Sequence, residues 1–542
     1  MSYTRKHPLL TALLINTVLF SGIIAFCYPI FNSGDDVYLL YLLGGGFGEQ
    51  PTELLHYHYG MHPFLGWMLK NMFIYFPHFN WYTALLYCCH FSACTIFLFL
   101  WIRNKNFLYP VVAYLLMFAG IEMRFLLQPA FTNTALVTAL AGLLLLHSWI
   151  SNPGGSKIFL ISGSVFVLVA AFLRLHMLVP PLIIAAPFLF LYTRKQQLKK
   201  ILIPIASLLI LVFFFVFLQS QYYKNRIPGW KNEEAYRQTV INHYNSPKKT
   251  AADLNRGVLI RENFLEAGIL WDKEYLSLRN VAHTTAQVKV TGAWQQSDFG
   301  ERLYWIWMDS RLGILIMMLL FLWKWPSLTL SEKIKTISSA VLMVSLCLAL
   351  LLFRKLPGYF IAGSMFSWMV FMGVSGSNHT TTPARKKWLF GLVALGLMVW
   401  SVVRVIKLNR WNIAEHLHFE CAYRELSARR NMLFIVTDDK FPMDYMHVWD
   451  TPRRYTFPNL LYKDHFLNNT YQYAYKRFGI TEPVQFVNNQ QIVFTGSGSA
   501  YIGMYFDELT KRTTELVAGP PVNNCFPTFQ LNQLPLRNTS TR

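Results

Sequence analysis

The chain has 542 residues, of which 54% are hydrophobic and 14% are charged, and it carries a formal net charge of +21 at pH 7. An ordinary soluble protein has about 25% charged residues, and this chain contains several uncharged stretches of about 18 residues or more. The composition therefore excludes a soluble globular protein and indicates a polytopic membrane protein. Much of the positive charge stands in short clusters between the apolar stretches. Such clusters are typical of the cytoplasmic loops of membrane proteins, and this distribution argues against nucleic-acid binding.

The first apolar segment, residues 8–30, follows a basic start and is longer than the apolar part of a secretory signal peptide. We predict that it is retained as the first transmembrane helix. Ten further apolar runs predict transmembrane helices at 81–101, 107–121, 130–150, 157–173, 176–192, 200–219, 303–323, 334–353, 359–375 and 388–406. Residues 61–76 are also apolar, but this segment is short and contains Lys70, which favours a re-entrant or interfacial helix.

The basic clusters predict the orientation of these helices. With eleven spans and a cytoplasmic N-terminus, nearly all short basic clusters lie on the cytoplasmic side, as the positive-inside rule requires. These clusters are Arg5 with Lys6, Arg103 with Lys105, Lys157, the run 194–200, Lys324 with Lys333 and Lys335, and the run 384–387. We therefore predict outer loops at 31–80 and 220–302 and a C-terminus outside the cytoplasmic membrane.

These elements predict an all-α polytopic membrane bundle over residues 1–409 and a small extracytoplasmic α/β domain over residues 410–542. The second outer loop has the apolar spacing of helices. The C-terminal region contains the strand-like runs NMLFIVT and NQQIVFTG among helix-compatible segments. Cys421 and Cys525 also lie there and could form a disulfide if this region faces an oxidising compartment.

The first outer loop is acidic. Asp35 and Asp36 follow the first span, Glu49 and Glu53 come next, and no Lys or Arg occurs before position 70 in this part of the chain. Carboxylates without a basic partner favour a raised pKa, a bound cation, or both. One of the aspartates could take the proton of an acceptor hydroxyl as a general base. Histidines and aromatic residues surround them, and the candidate substrate-binding histidines are His56, His58 and His62.

Two alternatives for the acidic pair remain open. Ser33 or Asp35 could cap a helix whose dipole favours Asp36 near its start. A metal ion is the other alternative. Hard cations prefer oxygen ligands, so Mg²⁺ or Mn²⁺ at Asp35 and Asp36 is favoured over zinc at the histidines. The chemistry that we predict below requires no cofactor.

Cations at the predicted outer ends of the helices depart from the positive-inside rule. They are Arg124, Arg174 with the neighbouring His176, and Arg354 with Lys355. Arg offers several donors to phosphate oxygens and Lys a point charge, so these residues are candidates to bind the phosphate of a lipid-linked sugar. The structural alternatives are that Arg124 pairs with Glu122 and that Arg174 only extends toward the membrane surface.

A first span, an outward loop that opens with an acidic pair, and then HPFLGWMLKNMF before the next span together resemble the GT-C superfamily of integral-membrane glycosyltransferases. The resemblance covers mainly residues 8–110, and the block SGDDVYLL…GGGFGEQPTELLHYHYG is also similar to a group of bacterial envelope-polysaccharide membrane proteins. It implies a polyprenyl-phosphate or polyprenyl-diphosphate sugar as donor, Asp35 or Asp36 as the catalytic carboxylate, and a helix along the membrane that begins at His62 and Pro63. His-Pro-Phe stands where the family more often has His-Pro-Pro.

The resulting hypothesis is an inverting membrane glycosyltransferase on the outer face of the bacterial cytoplasmic membrane. Its partners would be the polyprenyl-linked donor, a glycan or lipid acceptor and the membrane lipids. One alternative is a lipid-linked polysaccharide polymerase or ligase, in which arginines would be the key groups. A transporter or flippase would require charged or broken helices at mid-membrane, and a non-catalytic assembly partner would act through its C-terminal domain.

Overall fold

The computed structural model describes residues 7–31, 33–55, 60–103, 108–151, 156–191, 195–246, 248–249, 254–289, 299–353, 357–375, 384–437, 441–467, 469–496, 500–520 and 525–533. In chain order the α-helices are α1 (Pro8–Phe26), α2 (Gly34–Gly44), α3 (Pro63–Tyr75), α4 (Trp81–Arg103), α5 (Leu108–Met117), α6 (Met123–Leu127), α7 (Phe131–Ser151), α8 (Lys157–Arg174), α9 (Val179–Phe190), α10 (Lys195–Arg226), α11 (Trp230–Tyr244), α12 (Arg256–Glu266), α13 (Leu278–Val288), α14 (Phe299–Lys324), α15 (Leu330–Phe353), α16 (Gly358–Val374), α17 (Ala384–Ala428), α18 (Lys463–Leu467), α19 (Gln472–Phe478) and α20 (Ala500–Thr510). The strands are β1 (Leu433–Val436), β2 (Leu460–Leu461), β3 (Ile492–Thr495), β4 (Thr514–Ala518) and β5 (Phe529–Gln533).

The protein is a multi-pass membrane protein. Within the described residues, nine helical segments are long and apolar enough to cross a membrane. One of them, Lys157–Phe190, contains two predicted spans, because α8 and α9 are joined by the short 3-10 helix Leu175–Leu178. The predicted span at 359–375 is the shorter apolar helix α16. The predicted membrane bundle is therefore confirmed, and each predicted span corresponds to an apolar helix.

Close packing builds the centre of the bundle. Helix α7 is buried along almost its whole length, and it contacts α8 most closely where Gly142 faces Gly163. A β-carbon at Gly142 would lie 2.7 Å from the carbonyl oxygen of Gly163. Small residues let two membrane helices approach in this way, which brings the start of α7 close to the end of α8.

The predicted first outer loop, residues 31–80, contains α2 and α3. Helix α2 is buried from Asp36 to Leu43, so this loop is part of the core. Helix α3 has 13 residues, about 20 Å of helix, which is too short to cross a bilayer of about 30 Å. Its length agrees with the prediction of a helix over 61–76 that does not span.

The predicted second outer loop, residues 220–302, and the C-terminal region form one common hydrophobic core. As predicted, the loop is helical and contributes α11, α12 and α13. Trp271 packs edge-on against Phe466 at 5.5 Å and against Phe486 at 5.7 Å between ring centroids. Lys273 also donates hydrogen bonds of 2.9 Å to Glu233 and 2.7 Å to Asn469, so the C-terminal region stabilises the loop.

The C-terminal region contains a five-stranded sheet of order β2-β1-β3-β5-β4. Strands β1, β2 and β3 are parallel to one another, while β5 runs antiparallel to both β3 and β4. The two strands predicted from the sequence are β1 and β3. Cys421 and Cys525 form a disulfide with their α-carbons 5.8 Å apart. Helix α17, which carries Cys421, runs for 45 residues from the membrane part into this domain.

Candidate active site

The acidic pair lies in the first turn of α2. Ser33 stands at the N-cap position but makes no capping hydrogen bond with its side chain. Asp36 is completely buried, and its Oδ1 accepts hydrogen bonds from the Tyr82 hydroxyl at 2.6 Å and from the Phe131 backbone N–H at 2.9 Å. Asp36 therefore fastens α2 to α4 and to the first residue of α7.

Burial is the largest influence on the Asp36 carboxyl, and it raises the pKa of Asp36 to about 7. The hydrogen bonds from Tyr82 and Phe131 act in the opposite direction, and the neighbouring charge of Asp35 adds to the rise. Asp35 itself is half-buried. The two carboxyl groups of the pair therefore stand in different environments: one is enclosed by protein, and the other is more accessible to water or substrate.

Both aspartates line a cavity of about 500 Å³. Arg124 and Arg174 line the same cavity, together with Asp309 and polar residues from the start of α7. The polar residues from α7 are Thr132 and Asn133, and the remaining polar residues of the wall are Ser33, Gln128, Asn245 and Tyr359. The acidic pair and two of the predicted cations thus meet in one cavity, and Ile241 on α11 and Asn245 at the end of that helix close part of it.

Arg174 is held at the end of α8 by three neighbours. Its Nη1 donates to the Thr132 hydroxyl, and its Nε donates to His176 Nε2 at 2.7 Å. The guanidinium carbon lies 4.8 Å from the centre of the Phe131 ring. Cation–π contact and hydrogen bonds together orient this guanidinium, and His176 contacts Arg174 without lining the cavity itself.

Arg124 has a different partner from the one considered from the sequence. Its Nη2 donates to Asp309 Oδ2 at 3.2 Å, whereas Glu122 pairs with His90 Nδ1 at 2.6 Å. The alternative that Arg124 only pairs with Glu122 is therefore wrong. Asp309, on α14, is a cavity residue that sequence reasoning missed, although an acidic residue within an apolar span is a signal that could have singled it out.

Arg124 and Asp309 also line a second cavity, of about 440 Å³, between α14 and α17. Three further cations line it: Arg311, Arg404 and Lys407. The Arg311 guanidinium carbon lies 5.5 Å from the centre of the Trp400 ring. The Arg124–Asp309 pair thus stands where two cavities adjoin, one with carboxylates and cations and one rich in cations.

Glu49 and Glu53 do not line either cavity. Glu53 pairs with Lys70 and accepts a hydrogen bond of 2.6 Å from the Tyr222 hydroxyl. Burial acts to raise the pKa of Glu53, but these hydrogen bonds outweigh it and hold the pKa below its usual value. The expectation that this carboxylate has no basic partner was wrong. Glu49 is half-buried, and burial raises its pKa to about 7.

His62 has structural partners. It occupies the N-cap position of α3, where Nδ1 accepts from the Phe64 backbone N–H at 3.2 Å. Its Nε2 lies 3.1 Å from the Phe215 carbonyl oxygen. The other predicted substrate-binding residues lie outside the described part of the chain: His56, His58, Arg354 and Lys355.

One His/Asp/Glu group in the described residues has the geometry to hold a metal ion, and it does not include the acidic pair. It consists of His243, Glu262 and Glu266. Lys248 pairs with Glu262 at 2.6 Å and also with Glu266. The Lys248 ammonium group therefore supplies the positive charge that a metal ion would otherwise bring to these carboxylates. At the acidic pair, Asp36 Oδ1 already accepts two hydrogen bonds. The pair would therefore need substrate phosphate or water as additional ligands to complete the coordination of Mg²⁺.

Comparison with known proteins identifies the fold. No family model matches the chain, and no curated protein matches its sequence. The chain resembles the crystal structure of ArnT from Cupriavidus metallidurans bound to undecaprenyl phosphate, with a TM-score of 0.51, 11% identity, and coverage of 96% of this chain and 97% of that one. The crystal structure of the same protein in the apo state has a TM-score of 0.39, 10% identity and the same coverage. The likeness to the lipid-bound structure shows that the chain shares the fold of that protein, in agreement with the predicted membrane bundle that carries a small C-terminal sheet domain.

Proposed function

We propose that this protein is a glycosyltransferase that moves a sugar from a polyprenyl-phosphate or polyprenyl-diphosphate donor to an acceptor hydroxyl. The observation that carries the proposal is the cavity of about 500 Å³ that Asp35, Asp36, Arg124 and Arg174 line together. A carboxylate suits the proton of an attacking hydroxyl, and guanidinium groups suit the phosphate that leaves.

In this mechanism Asp35 is the general base. It is the more accessible member of the pair, whereas Asp36 is enclosed and accepts hydrogen bonds from Tyr82 and Phe131. Asp35 takes the acceptor proton as the hydroxyl oxygen forms its bond to the anomeric carbon. The bond from that carbon to the phosphate oxygen breaks at the same time, and the electron pair leaves with the phosphate. A single displacement of this kind inverts the anomeric centre.

Arg174 and Arg124 stabilise the departing phosphate. Arg174 is already oriented by Thr132, His176 and the Phe131 ring, so little conformational freedom is lost when it binds an anion. Two observations support a polyprenyl-linked donor. The guanidinium groups of Arg124 and Arg174 line the same cavity, and the chain resembles a GT-C protein whose crystal structure contains undecaprenyl phosphate.

We place the reaction on the outer face of the bacterial cytoplasmic membrane. The positive-inside distribution of Lys and Arg supports this orientation. The disulfide between Cys421 and Cys525 also supports it, because disulfides persist in oxidising compartments such as the periplasm. Arg354, Lys355, His56 and His58 remain predicted substrate-binding residues at this face.

The experiment measures sugar transfer from a labelled polyprenyl-phosphate sugar by the full chain in lipid nanodiscs. Asp35→Asn should lose transfer by about 10²-fold or more, the usual contribution of a general base, while its affinity for undecaprenyl phosphate is retained. Glu301→Gln, an exposed carboxylate outside the cavities, is the matched control and should keep full activity. Repeating the assay with a chelator tests whether Mg²⁺ or Mn²⁺ at the acidic pair takes part.

Full activity in Asp35→Asn, in Asp36→Asn and in the double variant would refute the base assignment. Loss in Asp36→Asn alone would transfer that role to Asp36.

The cation-rich second cavity favours one further candidate. Arg311, Arg404 and Lys407 would suit the phosphate of a second lipid-linked glycan, as a polysaccharide polymerase or ligase requires. In that case Arg404→Gln would abolish chain growth in a glycan-length assay while Asp35→Asn would not. A glycosyltransferase with Asp35 as its base gives the reverse order of sensitivity.

A further inference from the structure

We infer that His90 and Glu122, a pair buried within the membrane bundle, form a positioning unit that directs Arg124 toward the two cavities through a π-helical turn. The inference rests on the proposed function only for the role of Arg124 as a phosphate ligand. The geometry that links the pair to Arg124 is independent of that role.

The π-helical turn interrupts the helix that leads to Arg124. Residues Phe118–Glu122 form this turn between α5 and α6, and the Met123 backbone N–H donates to the Phe118 carbonyl, five residues earlier. A π turn holds one residue more than an α turn. Because each residue of an α-helix turns the chain by about 100°, the residues after the insertion face a different side of the bundle.

Both flanks of the turn are anchored, so the insertion cannot be absorbed elsewhere in the helix. On the upstream side, the Tyr114 hydroxyl donates to the Asn16 side chain. On the downstream side, the Leu126 carbonyl accepts from the Tyr87 hydroxyl at 2.7 Å. The rotation is therefore passed on to Arg124, which reaches Asp309 and lines both cavities.

Glu122 is the last residue of the turn, and His90 holds it in place. Both side chains are completely buried, and His90 Nδ1 lies 2.6 Å from Glu122 Oε1. The other ring nitrogen of His90 lies 3.0 Å from the Thr134 hydroxyl on α7. Ionisable residues inside a membrane bundle almost always pair with one another, and this pair, together with the contact to Thr134, holds the turn, α4 and α7 in one arrangement.

The same contacts reach the other side of the active cavity. Thr134 is in the first turn of α7, which also contains Phe131 and Thr132. Phe131 donates its backbone N–H to Asp36, and Thr132 accepts from Arg174. The π turn also packs on α14, since a β-carbon at Gly120 would overlap the Ile316 side chain. The unit therefore lies between the elements that carry Arg124, Arg174 and Asp309.

The test uses the double variant His90→Phe/Glu122→Met, which removes both members so that neither is left buried without its partner. We measure binding of undecaprenyl phosphate to the full chain in nanodiscs. The double variant should bind about tenfold more weakly, as Arg124→Ala should, and should cause no further loss in an Arg124→Ala background. Ser339→Ala removes a buried hydrogen bond elsewhere in the membrane bundle, to the Ile184 carbonyl oxygen, and should leave the affinity within about twofold.

A second measurement does not depend on lipid binding. Arg124→Cys, labelled with a charged water-soluble thiol reagent and compared with the parent chain, should react because position 124 faces the cavities. In the His90→Phe/Glu122→Met background its labelling should fall at least fivefold.

The outcomes separate the inference from the proposed function. Unchanged labelling, or losses of affinity that add to those of Arg124→Ala, would overturn the positioning role. Unchanged affinity in Arg124→Ala with lost labelling in the double-variant background would leave the positioning role intact and would instead remove Arg124 from the proposed phosphate site.

Discussion

Replacing Asp36 with Asn should abolish a pH-dependent loss of stability while leaving α2 in place. Asn has the same shape as Asp, and its Oδ1 can accept the same hydrogen bonds from Tyr82 and Phe131. In the wild type, burial is the main cause that raises the pKa of Asp36 from 3.8 to about 7. The Asn side chain has no proton to release.

The sign follows from comparing the folded and unfolded chains. Because the pKa of Asp36 is higher in the folded state, the folded chain binds the proton more tightly. Its contribution to stability is complete below the unfolded pKa and is lost as the pH rises through about 7. A shift of about three units corresponds to about 4 kcal/mol, of which about 2–3 kcal/mol falls between pH 5 and pH 7. Asp36 is fully buried, so solvent screening does not reduce this figure.

Thermal unfolding of both proteins in the same detergent, at pH 5, 6, 7 and 8, measures the effect. The relevant quantity is the difference in Tm between the wild type and Asp36→Asn at each pH, because groups that titrate in both proteins cancel. The variant should gain stability relative to the wild type as the pH rises to about 7, and the difference should then level off. A difference that stays constant over this range, or that changes in the opposite direction, would refute the raised pKa.

Three further predictions concern other parts of the molecule. Arg174→Gln should weaken the binding of undecaprenyl phosphate by about 10–100-fold, the range for losing a hydrogen bond to a charged group, as measured by a fluorescence titration in nanodiscs. Lys70→Met should lower stability by about 1–3 kcal/mol, because it removes the cation that pairs with the buried Glu53, and thermal unfolding at pH 7 measures this loss. Cys421→Ser should lower stability by about 2–5 kcal/mol, because the disulfide to Cys525 joins residues 104 positions apart, and unfolding with and without a reductant checks it.

Each of these three has an internal control. For the Arg174 prediction the control is Arg174→Lys, which keeps the charge but not the fork of donors. Equal affinity in Arg174→Gln and the wild type would exclude phosphate binding at this position. For the Lys70 prediction, the double variant Glu53→Gln/Lys70→Met should recover part of the loss, and no recovery would contradict the ion-pair explanation. A reductant should lower the Tm of the wild type and leave that of Cys421→Ser unchanged.

The spans could be predicted because bilayer thickness determines how long an apolar run must be. Residues 81–101 were predicted and α4 covers Trp81–Arg103, and residues 130–150 were predicted and α7 covers Phe131–Ser151. Strands β1 and β3 could be predicted because β-branched and apolar residues are concentrated there. The break between α8 and α9 lies where the predicted spans 157–173 and 176–192 meet, but the 3-10 form of the connection, Leu175–Leu178, was not predicted.

The partners within the site were much harder to predict, because most of them are distant in sequence. Arg124 pairs with Asp309, 185 positions away, and the π turn that directs it there has no sequence signature. Glu53 was taken to lack a cation because the acidic stretch was considered only as far as Leu69, one residue before its actual partner, Lys70. The proximity of Asp35 to Arg124 and Arg174, which line the same cavity, could be predicted from the topology, because all three residues were expected at the same membrane face.

Helix α17 connects the membrane part mechanically to the C-terminal domain. Its 45 residues form an uninterrupted rod, about 68 Å long. The segment that lines the second cavity, with Arg404 and Lys407, and the segment tied by the disulfide at Cys421 belong to this one rod. A partner or ligand that tilts the C-terminal domain would therefore also shift the cations of the second cavity. A truncation within α17 would separate the cavity segment of this helix from the segment that the disulfide holds.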